Sequence, residues 1–267
     1  MPIACPAPIR LLYPDDFARL DERVMRHVFA ARETLGRLCE PAIYRNDVAA
    51  RLAAAGLENV RPQVPITLTH RDFARTCWLD LVVNDSAVYQ FETASRLTVE
   101  HNTRLLTALL LYGAQQGKLV NFRPPELETR LVHTALTPQA RRELGADIRH
   151  WQEEDSATEL VRSTVVELLE DWGGFLDPSL YREALTHLLG GEEKLARSVE
   201  VRRDGVLLGH QPMCLVAPDT AFHFTATDHE HDQYQSQLEA LLDHTSLKTI
   251  LWVNLAGHRI QFVMLLK

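Results

Sequence analysis

The sequence lacks the features that mark secreted, membrane-spanning or metal-scaffold proteins. Its four cysteines, Cys5, Cys39, Cys77 and Cys214, form no CxxC pair and are too sparse for a disulfide framework. The longest strongly apolar run, residues 105–112, is much shorter than the roughly 20 residues that span a bilayer. No basic n-region followed by an apolar h-region opens the chain. We therefore expect a reduced, cytoplasmic protein without a membrane partner.

Positive charge is also scarce, and it is distributed unevenly. Residues 1–135 have a net charge of +1, whereas residues 136–267 have a net charge of −9. Lys118 is the only lysine of the first half, whose other basic side chains are all arginines. Because nucleic-acid affinity depends on cationic contacts to phosphates, we expect any nucleic-acid surface to lie in the first half. The sequence contains no glycine-rich phosphate loop and no Ser-His-Asp elbow.

One sequence plan occurs twice in the chain. Three segments of the first half correspond to segments of the second half: GRLCEPAIY at 36–44 to GFLDPSLY at 174–181, LDLV at 79–82 to MCLV at 213–216, and LVNF at 119–122 to WVNL at 252–255. The offset narrows from about 138 to about 133 residues, as short loop deletions between two copies of one domain would produce. We predict a first domain over residues 1–136, a connecting segment over 137–155 and a second domain over 156–267.

Hydrophobic periodicity predicts the same order of elements in both copies. In the first copy, helical spacing over residues 16–35 and 41–55 gives way to short β-branched runs, and helical spacing returns over 98–116 before two closing strands. Asp204-Gly205 is a strong hairpin signal in the second copy. This order predicts an α/β fold in which each domain is a mixed sheet flanked by helices.

Several motifs of the first copy together point to a known family. They are QVPI at 63–66, LDLV at 79–82, a helix with Leu97-Thr98, His101 and Leu105-Leu106, and Val120-Asn121-Phe122. This combination resembles the GxxExxY proteins, a branch of the PD-(D/E)XK nuclease superfamily. The signature departs from that family: its spacing is Gly36-x-x-x-Glu40-x-x-x-Tyr44, one residue longer on each side, and Asp177 replaces the glutamate in the second copy. The resemblance implies two tandem restriction-endonuclease-like domains.

The resemblance also implies a catalytic pattern, which this sequence matches only in part. Members of the superfamily are expected to cut nucleic acid with Mg²⁺ or Mn²⁺, using an Asp at the end of one strand and Glu-x-Lys on the next. Asp80 matches the Asp. Gln90-Phe91-Glu92 lies where Glu-x-Lys should be, or else Glu92 is itself the glutamate, and in both registers the lysine is missing. The candidate site residues are Glu40, Asp80, Gln90 and Glu92, with Asp80 and Glu92 as the metal ligands of an active form.

The second copy lacks a comparable carboxylate pair. Cys214 aligns with Asp80, and Phe222-His223-Phe224-Thr225 replaces the segment that contains Gln90 and Glu92. A run of metal-capable side chains, His229-Glu230-His231-Asp232, lies in a polar segment before a helix, where alternating residues usually face solvent. We therefore predict no catalytic site in the second copy.

Two hypotheses about function follow from these observations. The first is a non-catalytic protein, without a cofactor, in which two nuclease-fold domains form an intramolecular pseudo-dimer that serves as a binding or scaffold module. The alternative is an Mg²⁺- or Mn²⁺-dependent nuclease with an active site only in the first domain. The sequence does not identify the binding partner, and fold does not by itself establish function.

Overall fold

The computed structural model describes residues 2–149, 151–152, 156–227 and 231–267. These residues form two compact units. The first unit comprises Met1–Thr69 and Ala74–Ala140, and the second comprises His70–Phe73 and Arg141–Lys267. Each unit contains a six-stranded sheet flanked by helices. The predicted α/β fold class, with two mixed sheets flanked by helices, is thereby confirmed.

The first unit contains three helices, α1 (Pro14–Leu35), α2 (Pro41–Ala54) and α3 (Val99–Tyr112). Its strands, in chain order, are β1 (Ile3–Ala4), β2 (Arg61–His70), β3 (Phe73–Val83), β4 (Ala87–Glu92), β5 (Gln116–Asn121) and β6 (Glu128–His133). Proline occupies the first turn of both α1 and α2, where its missing N–H removes no helical hydrogen bond. Gly36 ends α1 in the left-handed region at φ 70°, and its N–H donates to the Arg32 carbonyl at 2.9 Å.

The described residues of the second unit form four helices, α4 (Ser156–Trp172), α5 (Pro178–Leu188), α6 (Glu192–Leu195) and α7 (His231–Asp243). Its strands, in chain order, are β7 (Gly145–Arg149), β8 (Ala196–Arg203), β9 (Val206–Ala217), β10 (Thr220–Thr225), β11 (Thr249–Ala256) and β12 (Arg259–Leu266). Within the described part of the chain, no helix is long and apolar enough to cross a membrane.

Five strands follow the same order in both sheets. The first sheet runs β1-β2-β3-β4-β5-β6, and the second runs β7-β12-β11-β10-β9-β8. The pair β4 and β5 is parallel, as is the pair β10 and β11, and the connecting helix is α3 in the first unit and α7 in the second. The sixth strand differs: β1 extends the first sheet beside β2, whereas β7 extends the second beside β12.

The two faces of the first sheet pack against different helices. One buried cluster joins α1 and α2 to alternate residues of the central strands, including Leu81, Tyr89 and Val120. Gly117 on β5 faces the other way, since a Cβ there would lie 3.1 Å from Leu109 and 3.2 Å from Leu105 of α3. Because strand side chains alternate, Asp80, Gln90 and Glu92 lie on the α3 face.

The segment predicted to connect the domains contributes to the second unit. It contains a 3-10 turn, Ala140–Arg142, and the strand Gly145–Arg149, which pairs in parallel with β12. The helix predicted over 98–116 is shorter in the structure. It ends at Tyr112, because Gly113 adopts a left-handed conformation at φ 86° and donates to the Leu109 carbonyl at 2.8 Å.

Candidate functional site

The candidate site of the first unit lies where β3 and β4 separate. Their last paired residues toward the site are Leu81 and Tyr89, so Asp80 and Gln90 follow at the point of separation. The Asp80 carboxylate accepts a hydrogen bond from the Phe91 amide at 2.9 Å. This bond satisfies a β4 backbone donor that β3 no longer reaches, and it fixes the carboxylate in the gap between the strands.

A buried arginine of α2 faces the same carboxylate. Arg45 is 8% exposed, and its Nη1 lies 3.7 Å from Asp80 Oδ1. With the Gln63 side-chain oxygen turned toward this guanidinium, the two Arg45 Nη atoms lie 3.2 and 3.1 Å from it. Gln63 lies on β2 at φ 52°, a conformation that non-glycine residues rarely adopt. Gln63 of β2 and helix α2 thus hold the Arg45 guanidinium group beside Asp80.

A second arginine binds the other carboxylate. Arg104 Nη2 on α3 donates to Glu92 Oε1 at 3.0 Å, and His101 Nε2 lies 3.6 Å from Glu92 Oε2. Gln90 Nε2 approaches Glu92 Oε1 at 3.5 Å, at the limit for a hydrogen bond. Glu92 is largely buried at 13% side-chain exposure, whereas Arg104 is half-exposed. Glu92, the last residue of β4, is therefore held against α3.

Burial opposes ionisation of both carboxyl groups. Desolvation raises the pKa of Asp80 above its ordinary value, while the Phe91 amide and the Arg45 charge act in the opposite direction. Desolvation likewise raises the pKa of Glu92, which Arg104 and His101 lower and the Asp80 charge raises further. The Asp80 charge therefore reaches Glu92, and the Arg104 charge acts on both carboxyl groups. Arg45 lies beside the Asp80 carboxylate, and Arg104 lies beside the Glu92 carboxylate.

The structure does not bring Glu40 into this group. Glu40 is exposed at the N-cap of α2, where its side chain makes no capping hydrogen bond. Among the described residues, its side chain has no hydrogen bond or ion pair with Asp80, Gln90 or Glu92. The structure therefore groups three of the four candidate residues, and it adds Arg45 to them.

The grouped side chains do not fit a divalent cation. Mg²⁺ and Mn²⁺ take hard oxygen ligands, and the charge of a second carboxylate normally offsets that of the metal. Here the two carboxylates already face the guanidinium groups of Arg45 and Arg104, and the third oxygen donor, Gln90, is neutral. Within the described ranges, no group of three or more His, Cys, Asp or Glu side chains has a metal-binding arrangement.

A tyrosine closes the turn between the first two helices in each unit. Tyr44 Oη donates to the Gly36 carbonyl at 2.8 Å and accepts from the Cys39 amide at 3.3 Å. Tyr181 Oη donates to the Gly173 carbonyl at 2.6 Å and accepts from an amide three residues further on at 3.3 Å. Both tyrosine rings are fully buried. The tyrosine of the repeated motif therefore has a structural role in both units, because it satisfies backbone groups at the helix end. In the second unit the contacted glycine is the one that precedes the motif glycine, so the structural correspondence is displaced by one residue from the sequence alignment there.

A buried asparagine repeats in the same way on β5 and on β11. Asn121 donates to the Ala94 carbonyl at 2.9 Å and accepts from the Ala94 amide at 3.1 Å. Asn254 donates to the Thr227 carbonyl at 3.0 Å and accepts from the Thr227 amide at 3.0 Å. Each asparagine thereby holds the chain that leaves the central parallel strand, β4 or β10.

The parallel ladders allow the two sheets to be compared residue by residue. Gln90 lies opposite Leu119 in the first sheet, and His223 lies opposite Trp252 in the second. Glu92 lies opposite Asn121, just as Thr225 lies opposite Asn254. The histidine thus takes the place of the glutamine.

The antiparallel ladders correct one sequence alignment. In the first unit, Leu81 lies opposite the β4 residue that precedes the site glutamine. In the second, Cys214 lies opposite the β10 residue that precedes the histidine. Met213, and not Cys214, therefore corresponds to Asp80. The sequence alignment is wrong by one residue because a β-bulge adds a residue to β9, opposite the start of β10.

The second unit has an aromatic cluster in place of the carboxylates. His223 Nε2 lies 2.5 Å from Tyr234 Oη, and the two rings stack with centroids 5.7 Å apart. Trp252 donates from Nε1 to Thr225 Oγ1 at 2.8 Å. His231, the first residue of α7, stacks on Trp252 at 4.5 Å. The preceding residues of the predicted metal-capable run, His229 and Glu230, lie outside the described residues.

Acid should destabilise the second unit through His223. Burial lowers the pKa of His223, and the Arg182 charge lowers it further, so the folded state binds this proton less readily than the unfolded state. Stability is therefore lost as the pH falls from about 6.5 through the lower folded pKa. We expect the urea midpoint of a His223→Gln variant to fall less than that of the wild type between pH 7.5 and pH 5.5.

The matched control for this experiment is His210→Gln, at an exposed position of β9. It should keep the pH dependence of the wild type. Equal losses of stability in the wild type and the His223→Gln variant would contradict the assignment of the acid sensitivity to His223.

Two residues of the first site were missed at the level of sequence. Arg45 follows the motif tyrosine directly, as Arg182 does in the second copy, so the repeated Tyr-Arg pair was a usable signal. Gln63 carried no such signal, because neither its strained conformation nor its position facing Arg45 follows from the QVPI pattern.

Comparison with known proteins connects the first unit to one superfamily. Residues 18–132 match the family model of the PD-(D/E)XK nuclease superfamily, which confirms the predicted resemblance at that level. A search of curated proteins finds no match. Among solved structures, "Crystal structure of SSO0001" matches at 17% identity over 43% of this chain, with a TM-score of 0.28. This chain spans 63% of the length of that chain.

Proposed function

We propose that this protein is a non-catalytic tandem duplication of a nuclease-fold domain, of the GxxExxY branch, that acts in the cytoplasm as a binding or scaffold module. The duplication is supported by the common order of five strands and by the tyrosine and asparagine contacts that recur in both units. The superfamily match supports the nuclease ancestry of the first unit.

One observation supports the loss of catalysis above the others. Glu92 lies where the resemblance places the lysine, and its carboxylate accepts a hydrogen bond from Arg104. In a nuclease the lysine would help to position the attacking water beside a bound metal. Here Gln90 supplies no charge opposite Asp80, so the pair that would hold a metal is incomplete. Loss of one positioned catalytic group commonly costs about 10²- to 10⁴-fold in rate.

The alternative function is an Mg²⁺- or Mn²⁺-dependent nuclease active only in the first unit. It is favoured by the effect of the Asp80 charge on Glu92, since two acidic residues at one site on a superfamily fold could hold a metal. The first unit is also where nucleic acid would bind, because the second half of the chain is strongly acidic.

A cleavage assay distinguishes the two functions. Purified full-length protein is incubated with Mg²⁺ or Mn²⁺ and with single-stranded DNA, double-stranded DNA or RNA, beside an Asp80→Ala, Glu92→Ala double variant. We expect no cleavage above background from either protein. Metal-dependent cleavage by the wild type that disappears in the double variant would establish the alternative. Equal cleavage by both proteins would indicate a contaminating nuclease.

A further inference from the structure

A cavity of about 660 Å³ opens in the second unit where β9 and β10 separate, next to their last pair, Cys214 and Phe222. Its walls combine an apolar majority with a few polar side chains, and its volume falls within the range typical of small-molecule sites. The apolar lining includes Met213, Phe222, Phe224, Leu238 and Leu241. Arg182 and His223 also line it. It therefore lies where the second sheet would carry the counterpart of the first site.

Arg182 at this cavity has lost the partner that its counterpart retains. In the first unit, Arg45 faces the carboxylate of Asp80 at 3.7 Å. In the second unit, Met213 occupies the place of that aspartate and offers no charge. Within the described ranges, Arg182 has no hydrogen bond and no ion pair, and it is exposed. Its charge acts on His223 and on Tyr234, so it lies close to the polar wall of the cavity.

We propose that this cavity binds a small organic carboxylate with a flat apolar body, whose carboxylate pairs with Arg182. A guanidinium group recognises a carboxylate through two parallel hydrogen bonds. The phenylalanine rings and the methionine offer an apolar surface for the body of the ligand. The ligand thereby supplies the negative charge that Asp80 supplies in the first unit. The proposal does not depend on whether the first unit cleaves nucleic acid.

The remaining charges at the cavity favour a monoanion over a phosphate. Two exposed glutamates, Glu183 and Glu192, also line the cavity. The Glu192 charge raises the pKa of the Cys214 thiol, a pKa that burial already raises, so this carboxylate acts within the cavity. A phosphate dianion would be attracted by one arginine and repelled by two glutamate carboxylates. A ligand carboxylate has less negative charge and can pair with Arg182 without contacting the glutamates.

The test uses isothermal titration of the intact chain with 1-naphthoate, without divalent metal or nucleic acid. We expect saturable binding of 1-naphthoate at one site, and binding of 1-naphthamide and 1-naphthyl phosphate at least tenfold weaker. Arg182→Met should weaken 1-naphthoate binding at least tenfold. Arg259→Met, which removes an exposed arginine of β12, should leave it unchanged.

Substitution of Met213 provides a second test that keeps Arg182 in place. Met213→Asp should place a carboxylate beside Arg182 and weaken 1-naphthoate binding at least tenfold, whereas Met213→Asn should not. Circular dichroism verifies that each variant is folded. Three outcomes would overturn the proposal: no saturable binding of 1-naphthoate, equal binding by the wild type and Arg182→Met, or equal binding of the carboxylate and its amide. Tighter binding of the naphthyl phosphate would overturn the choice of a monoanion.

Discussion

A triple variant, Gln90→Glu, Glu92→Lys and Arg104→Gln, should bind Mn²⁺ and cleave nucleic acid, whereas we expect the wild type to do neither. The first change supplies the carboxylate that the site lacks opposite Asp80. The second supplies the lysine of the superfamily pattern, which the resemblance implies at this position. The third removes the guanidinium that binds Glu92 and would otherwise repel the new lysine. We expect metal-dependent cleavage at least about 10²-fold above that of the wild type.

The measurements are Mn²⁺ titration by calorimetry and a cleavage assay on DNA and RNA. The matched control carries the same three changes together with Asp80→Ala, which removes the remaining ligand and should abolish both the metal binding and the cleavage. If the triple variant is folded and still binds no Mn²⁺, these three side chains do not account for the absence of a metal site. The buried Arg45 beside Asp80 would then be the next group to replace.

Much of the fold is predictable from periodicity, because each helix and most strands bury a regular apolar face. The predicted helices and the β-meander of both copies correspond to α1, α2 and the β2 to β4 segment, and to their counterparts in the second unit. Two edge strands were not predicted. The strand Ile3–Ala4 has only two residues, and Gly145–Arg149 lies in a polar segment whose pairing with β12 is a long-range contact. Such pairings leave no local signal.

The acidic residues of the site are predictable from the sequence, whereas the arginines that face them are not. Asp80 was identifiable because a carboxylate within an apolar strand needs a partner, but the sequence could not show that this partner is Arg45 on a helix 35 residues earlier. For a similar reason, the sequence does not decide whether Gln90 or Glu92 occupies the glutamate position of the Glu-x-Lys motif. It depends on where β3 and β4 separate, which the ladder between Leu81 and Tyr89 defines. A one-residue bulge likewise changes the strand register, so the sequence alone does not show that Met213 corresponds to Asp80.

Replacing either of the two buried asparagines by leucine should strongly destabilise its own unit. Asn254 is fully buried and makes four hydrogen bonds, to Thr227 through its carbonyl and amide, to Gln261 Oε1 at 2.8 Å and from Thr225 Oγ1 at 2.8 Å. Leucine has a similar size but leaves these groups without partners in a buried environment. Each unsatisfied buried group costs about 1 to 3 kcal/mol. We expect a loss of about 3 to 5 kcal/mol in the free energy of unfolding of the second unit.

Asn121→Leu should cost the first unit a similar amount, because Asn121 is also fully buried and also makes four hydrogen bonds, two with Ala94, one to Glu128 and one from the Arg123 amide. The control is Gln237→Leu, at an exposed position of α7, which should change stability by less than about 0.5 kcal/mol. Urea unfolding followed by tryptophan fluorescence, together with hydrogen exchange to assign each transition to a unit, measures these losses. We expect each substitution to lower the unfolding transition of its own unit. A loss below about 1 kcal/mol for either asparagine would show that water replaces the side-chain hydrogen bonds at that strand end.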